Sequence, residues 1–253
     1  MSELVPLIDR DMYTRFEAAR SEIEVAGTGH VSRVFVPVGV APTSAPSTFP
    51  RVLFVGKATR DWGDEPFASF DGSKGGAEDV IRYWLPTGRR SAFWQFARQI
   101  LCQTLQQCEI PFSENGLPSF CGWSNLAKIG DLVGNPPPKS LEIQKALCIE
   151  ALRSEIAFFK PTAVVAVTGD YAQHKIMEPV FGDDDSWHFD TLEEDRVAYQ
   201  FHDGLKTLVI WTNHPQGMRP PGTRASVQEF ATELIVRAMR GLPLPPGAIE
   251  PRP

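Results

Sequence analysis

Four short apolar runs set the frame of this chain. Val52-Leu53-Phe54-Val55, Cys121 to Leu126, Ala163-Val164-Val165-Ala166-Val167 and Leu208 to Trp211 are close to continuous rather than alternating, the pattern of strands covered on both faces. Between them the apolar positions change to helical spacing. Residues 7–26 bring Met12, Phe16 and Ile23 to roughly one face and stop at Gly27, and Ser91 to Gln107 does the same with Phe93, Phe96, Ala97, Ile100 and Leu101. Ser140 reads as the N-cap of a helix to about Phe159, supported by Glu142–Lys145 and Glu150–Arg153 pairs and ended by Lys160-Pro161. A short helix is predicted from Tyr171 and a final one from Ser226 to Arg240. The alternating valines at 34, 36 and 38 predict a short extended segment, at an edge because of Pro37. Residues 60–76 read as a long loop of the kind that carries function, and 182–204 as a polar excursion with an edge strand at Val197–Phe201.

Strand, helix, strand, helix, strand in this order predicts one α/β domain, a three-layer α/β/α sandwich with a mainly parallel four-stranded central sheet. Residues 1–50 supply an N-terminal helix and edge segment, 51–240 the core, and 241–253, with five prolines, a loosely held tail.

Composition narrows the classes. The 253 residues are 42% hydrophobic and 22% charged, ordinary for a globular protein. No apolar run approaches the roughly 20 residues of a membrane span, and Met1-Ser2-Glu3-Leu4 does not open a secretory signal, so the expected place is the cytoplasm. A net charge of -6 speaks against a general nucleic-acid coat, whose affinity rests on cations, yet leaves room for a small patch from Lys57, Arg60, Arg89, Arg90, Arg98, Arg219 and Arg224. Cys102, Cys108, Cys121 and Cys148 form no C-x-x-C pair and read as reduced core thiols rather than a metal site.

The candidate chemistry gathers where the apolar runs end. Leu208 to Trp211 passes into Thr212-Asn213-His214-Pro215-Gln216-Gly217, Val52–Val55 into Gly56-Lys57-Ala58-Thr59, and Trp123-Ser124 into Asn125. Ligands of open α/β sheets bind at the carboxyl ends of the strands. Gly56 lets a ligand approach the backbone, Asn125 offers an amide donor and acceptor, and His214 an imidazole at the rim.

In order and spacing, these segments resemble the uracil-DNA glycosylase superfamily, above all its iron–sulfur branch, over roughly residues 50 to 240. The resemblance rests on Gly56-Lys57-Ala58-Thr59, on Asn125-Leu126-Ala127-Lys128 with Asn135-Pro136-Pro137, on the helix through Cys148 to Lys160-Pro161, on Val167-Thr168-Gly169 and on His214-Pro215-Gln216. It implies excision of uracil or a damaged base from single-stranded or mismatched DNA. Asn125 would read a flipped pyrimidine at O4 and N3–H, His214 would hold O2 as negative charge develops, Gly56 and Ala58 would line the base, and Phe93, or else Trp62, would stack on it. Lys57, Arg60, Arg219 and Arg224 would touch DNA, with Met218 or Pro220 as a wedge.

Departures are as plain. Lys57 stands where the family carries its first-motif acid; a carboxylate to position water could come from Asp61 or Asp64, a few residues later and out of the family's register, and Lys57 either contacts phosphate or changes the chemistry. Of the four cluster cysteines only Cys148 has a counterpart, and Ile129 stands where another would sit; one ligand does not hold a cluster, and neither metal nor cofactor is expected. The alternatives are a degenerate member that binds a nucleobase, nucleotide or DNA without cleavage, and a different hydrolase or nucleotide-binding enzyme on the same sheet.

Overall fold

The computed structural model describes residues 3–26, 31–42, 48–58, 67–88, 91–131, 135–182, 187–192, 195–218 and 222–246. The four apolar runs become β3 (Val52–Ala58), β4 (Cys121–Ala127), β5 (Ala163–Val167) and β8 (Thr207–Thr212). They lie side by side and parallel in the order β4-β3-β5-β8. The sheet is larger than four strands and mixed. β1 (Leu4–Pro6) and β2 (Val38–Val40) extend it antiparallel beyond β4, and the hairpin of β6 (His188–Leu192) and β7 (Asp195–His202) extends it beyond β8, giving eight strands among the described residues.

The expected edge positions shift accordingly. Val197–Phe201 lies in β7, between β8 and β6, and β2 lies between β1 and β4. Val197 and Tyr199 of β7 gain a cross-strand partner on each side, a better cover than an open edge, whereas Phe201 pairs with Leu208 alone and stays exposed.

Helices cover both faces. α1 (Arg10–Val25) is capped by the Asp9 carboxylate, which accepts from the Met12 N–H. It packs on α4 (Pro138–Phe159). On the other face α2 (Phe70–Thr87) packs on α3 (Ala92–Gln107), and α3 on α6 (Thr223–Met239). A short α5 (Glu178–Phe181), preceded by a π-type turn at Gln173–Met177, follows β5 and touches α4. Crossovers leaving β3 toward β4 and leaving β4 toward β5 run in opposite directions along the sheet, and right-handedness then places their helices on opposite faces.

Three local expectations need correction. Residues 70–76 are the first turns of α2 rather than loop, with the Ser69 hydroxyl accepting from the Gly72 N–H. α4 begins at Pro138, so Ser140 is a buried residue inside it and not the cap. Glu150 pairs with Arg15 of α1 at 2.6 Å instead of with Arg153, whose guanidinium donates to the Pro179 carbonyl. The opening of the C-terminal tail is also held: the Pro243 and Pro245 carbonyls accept from Arg237 and Tyr199.

One contact shows how closely α4 sits. The Phe159 ring lies over Gly39 and Gly122 on neighbouring strands, where a Cβ would come within 2.9 and 3.1 Å of ring carbons. The two glycines make the slot into which the ring fits. Phe159→Ala is expected to cost about 3–5 kcal/mol, read from urea unfolding. A cost under about 1 kcal/mol would mean that the slot closes on itself.

Candidate functional site

Register places a row of side chains on the α3 face at the carboxyl edge. Asn125 pairs with Gly56, and Val167 pairs with Thr212. Val55 opposes Ala166, so the next step along both strands sets Gly56 beside Val167. Asn125, Gly56, Val167 and Thr212 thus cross the four parallel strands in one line. Alternation puts Trp123 and Phe54 on the same face, and Trp123 meets Trp94 of α3 edge-to-face at 5.2 Å.

Asn125 is 3% exposed, and among the described residues its side-chain Nδ2 has no hydrogen-bond partner. Leaving a buried amide unpaired costs about 1–3 kcal/mol. Its Oδ1 lies 2.5 Å from the point where a Gly56 Cβ would stand, and Phe93 Cε2 lies 3.7 Å from that point. Gly56, Asn125 and Phe93 therefore form one cluster, with Phe93 held from behind by Trp94 at 4.9 Å. Gly56→Ala must displace the Asn125 amide. The expected result is a roughly tenfold or larger loss of ligand affinity at near-normal stability, because the clashing atom is the tip of a side chain. Binding unchanged in Gly56→Ala would remove Asn125 from the contact.

Thr212 ends β8 in the same row, and its buried Oγ1 is likewise without a partner among the described residues. Two residues on, half-buried His214 sits in a turn closed by the Gly217 N–H on its carbonyl at 2.8 Å. The Gln216 N–H donates to Nδ1 at 3.3 Å. That bond assigns the lone pair to Nδ1 and leaves the proton of a neutral ring on Nε2, a donor. Arg224 of α6 donates to the Pro215 carbonyl at 2.7 Å, fastening the turn to the helix. Three strand spacings separate β4 from β8, about 14 Å.

The remaining expected residues fall in three groups. Asp61, Asp64, Arg60, Trp62, Arg89, Arg90, Arg219 and Pro220 lie outside the described residues. Ala58 pairs with Ala127 on the Gly56 face, whereas Lys57 alternates to the α4 face, away from Asn125. Arg98 is engaged with the Pro86 carbonyl and with Glu114, and Met218, 7% exposed, is part of the core. A wedge must protrude, so Met218 does not serve as one.

Beneath the row, on the α4 face, lies a group that the sequence reading missed. Lys128 and Glu155 are both fully buried, with Nζ 2.8 Å from Oε1. The same Nζ donates to Ser124 Oγ at 3.0 Å and to the Asn125 carbonyl at 2.5 Å, and the Ser124 hydroxyl donates to the other Glu155 oxygen. The available signal was Glu155 itself, an acid on the apolar stripe of α4 between Leu152 and Phe159.

Ile129 and Cys148, aligned by the resemblance with two cluster-ligand positions, are joined through one side chain. Gln144 accepts from the Ile129 N–H at 3.0 Å and donates to the Ile129 carbonyl at 2.8 Å, while Cys148 Sγ lies 3.4 Å from the same Gln144 oxygen. The residues present do not fit an iron–sulfur cluster: Ile129 offers no side-chain ligand, and the Gln144 amide fills the space between the two positions. Burial pushes the Cys148 thiol up to about 11, disfavouring the thiolate that a metal would need.

A separate cleft of about 460 Å³ opens beside the β1 edge, lined by Pro6, Leu7, Phe70 and Phe158 with Asp9 and Arg10. Its polar groups are already used, Asp9 as the α1 cap and Arg10 in an exposed pair with Asp71. No described helix is long and apolar enough to cross a membrane. Compared with known proteins, the chain matches no family model and no curated protein sequence.

Proposed function

We propose that this protein is a uracil-DNA glycosylase-like N-glycosyl hydrolase that removes uracil or a damaged base from single-stranded or mismatched DNA. The observation that carries the reading is the Asn125 amide, buried with Nδ2 unpartnered, beside Gly56 and Phe93 at the carboxyl edge. An amide held in this way matches a uracil edge, with Nδ2–H toward O4 and Oδ1 toward N3–H. Phe93 stacks on the flipped base. His214, with its proton on Nε2, donates to O2 as the C1′–N1 electron pair moves onto the base. Water adds to C1′, its proton taken by the carboxylate assigned to Asp61, and the base leaves as an anion that His214 stabilises.

Further support comes from the order of the four parallel strands, with the site where the crossovers diverge. The adjacency of Ile129 and Cys148 through Gln144 adds to it, being what an evolutionary relation to the cluster-bearing branch requires. Lys57 at the acid position favours a second reading, a member that binds the base without excising it.

The test is a labelled single strand carrying one uracil, incubated with the protein and then treated with alkali. Strand scission that Asn125→Ala and His214→Ala both abolish is the expected result. Binding of the strand without an abasic site would move the protein to the second reading. Neither scission nor binding would end both.

A further inference from the structure

A fully buried ion pair is weak evidence for stability, because removing two charges from water offsets most of their attraction, and apolar residues of similar volume often replace such a pair at no loss. Lys128 and Glu155 therefore need another reason to be where they are. The reason lies in what the ammonium touches. Its N–H groups donate to Ser124 Oγ and to the main-chain carbonyl of Asn125, and the charge lies 2.8 Å from Glu155 Oε1 as an ion pair. The Ser124 hydroxyl in turn donates to Glu155 Oε2, which ties the pair to the strand.

The Asn125 carbonyl sits where the sheet supplies little. β2 pairs with β4 only as far as Trp123. Past that point Pro37 has no N–H, and the Val36 N–H is taken by Ser73 Oγ. No donor from the β2 side continues the ladder to residue 125 among the described residues. On that side the Lys128 ammonium supplies the donor to the Asn125 carbonyl, and the Phe35 N–H goes on to the Lys128 carbonyl.

We infer that Lys128, locked by Glu155 and Ser124, is a positioning residue that fixes the direction in which Asn125 presents its amide. From the α3 face Gly56 leaves the space into which Oδ1 fits; from the α4 face the ammonium holds the peptide that carries the side chain. The inference rests on Asn125 being the base-reading group, and it adds to that reading what holds the group in place. A charged donor on a main-chain carbonyl is stronger than a neutral one, which suits an amide that must wait for its ligand without a partner of its own.

The test replaces the pair as a unit, Lys128→Met with Glu155→Leu, and follows two signals. One is the affinity for, or cleavage of, a uracil-containing single strand. The double variant is expected to lose about tenfold or more, and Asn125→Ala added to it should cost little further, since the two changes act on one group. The other signal needs no activity: the Asn125 side-chain NH₂ pair in ¹H–¹⁵N spectra, assigned by its loss in Asn125→Ala, should shift or broaden in the double variant. Ser124→Ala, a smaller change, should move the same NH₂ pair and decides the matter if the double variant does not fold. A folded double variant with unchanged affinity, additive losses with Asn125→Ala and an unmoved NH₂ pair overturns the inference. So does an unmoved pair in Ser124→Ala when the double variant is unfolded. A wild-type protein indifferent to uracil DNA would instead defeat the functional reading, and the spectra alone would then decide the positioning role.

Discussion

Asn125→Ala is expected to lower kcat/KM on uracil DNA by about 10²–10³-fold, the range for removing a pre-aimed hydrogen-bonding group from an active site, while leaving the protein folded. Stability should change by no more than about 1 kcal/mol, because the variant also relieves the cost of an unpaired buried amide. The combination is what matters. A residue that closes a strand with its side chain loses stability when truncated; a residue reserved for a ligand loses function. Thermal unfolding and steady-state kinetics on the same preparation separate the two, and a large drop in stability with activity intact would make Asn125 a structural strand end.

The second large effect is on folding. Lys128→Met alone leaves the Glu155 carboxylate buried without its counter-charge and is expected to destabilise the protein by about 3–5 kcal/mol. Glu155→Leu in the same chain should recover most of that loss, since the pair as a whole contributes little. The expected pattern in urea unfolding is one severe single variant and one mild double. Equal losses in both would show that the pair's packing, rather than its charge balance, sustains the region.

How much of this was visible in the sequence follows from what each element needs. Strands buried on both faces must be apolar throughout, so β3, β4, β5 and β8 announced themselves as continuous runs. β1 and β2 have three residues each, too few for a period; β7 was legible as a strand over Val197–Phe201, but its place between β8 and β6 depends on pairing that its own pattern does not carry. α2 was hidden by Gly72, Gly75 and Gly76, poor helix formers, although its buried Phe70, Ala77, Ile81 and Leu85 keep helical spacing and Ser69 caps it. Packing overrides propensity there: a Cβ at Gly76 would run into the Phe67 ring.

The site divides in the same way. Gly56, Asn125 and His214 follow apolar runs directly, so position along the chain was enough to place them at one edge. Phe93 came from its place at the start of a helix, and the structure sets it over Gly56. Lys57 was read as part of the first motif, but strand alternation, not order in the motif, decides the face it occupies. The Lys128–Glu155 pair joins residues far apart in sequence, and charges on helices are by default read as solvated. Only the position of Glu155 on the apolar face of α4 distinguished it.

The most direct measurement of the central claim compares two otherwise identical fluorescent single strands, one with a single uracil and one with cytosine at that position, by anisotropy titration. Cytosine presents a donor at N4 and an acceptor at N3, the reverse of the uracil edge, so an amide fixed to suit uracil rejects it. The account predicts that the wild-type protein prefers uracil by about tenfold or more and that Asn125→Ala loses the preference. Equal affinity of the wild-type protein for the two strands, or a preference that survives in Asn125→Ala, would contradict it.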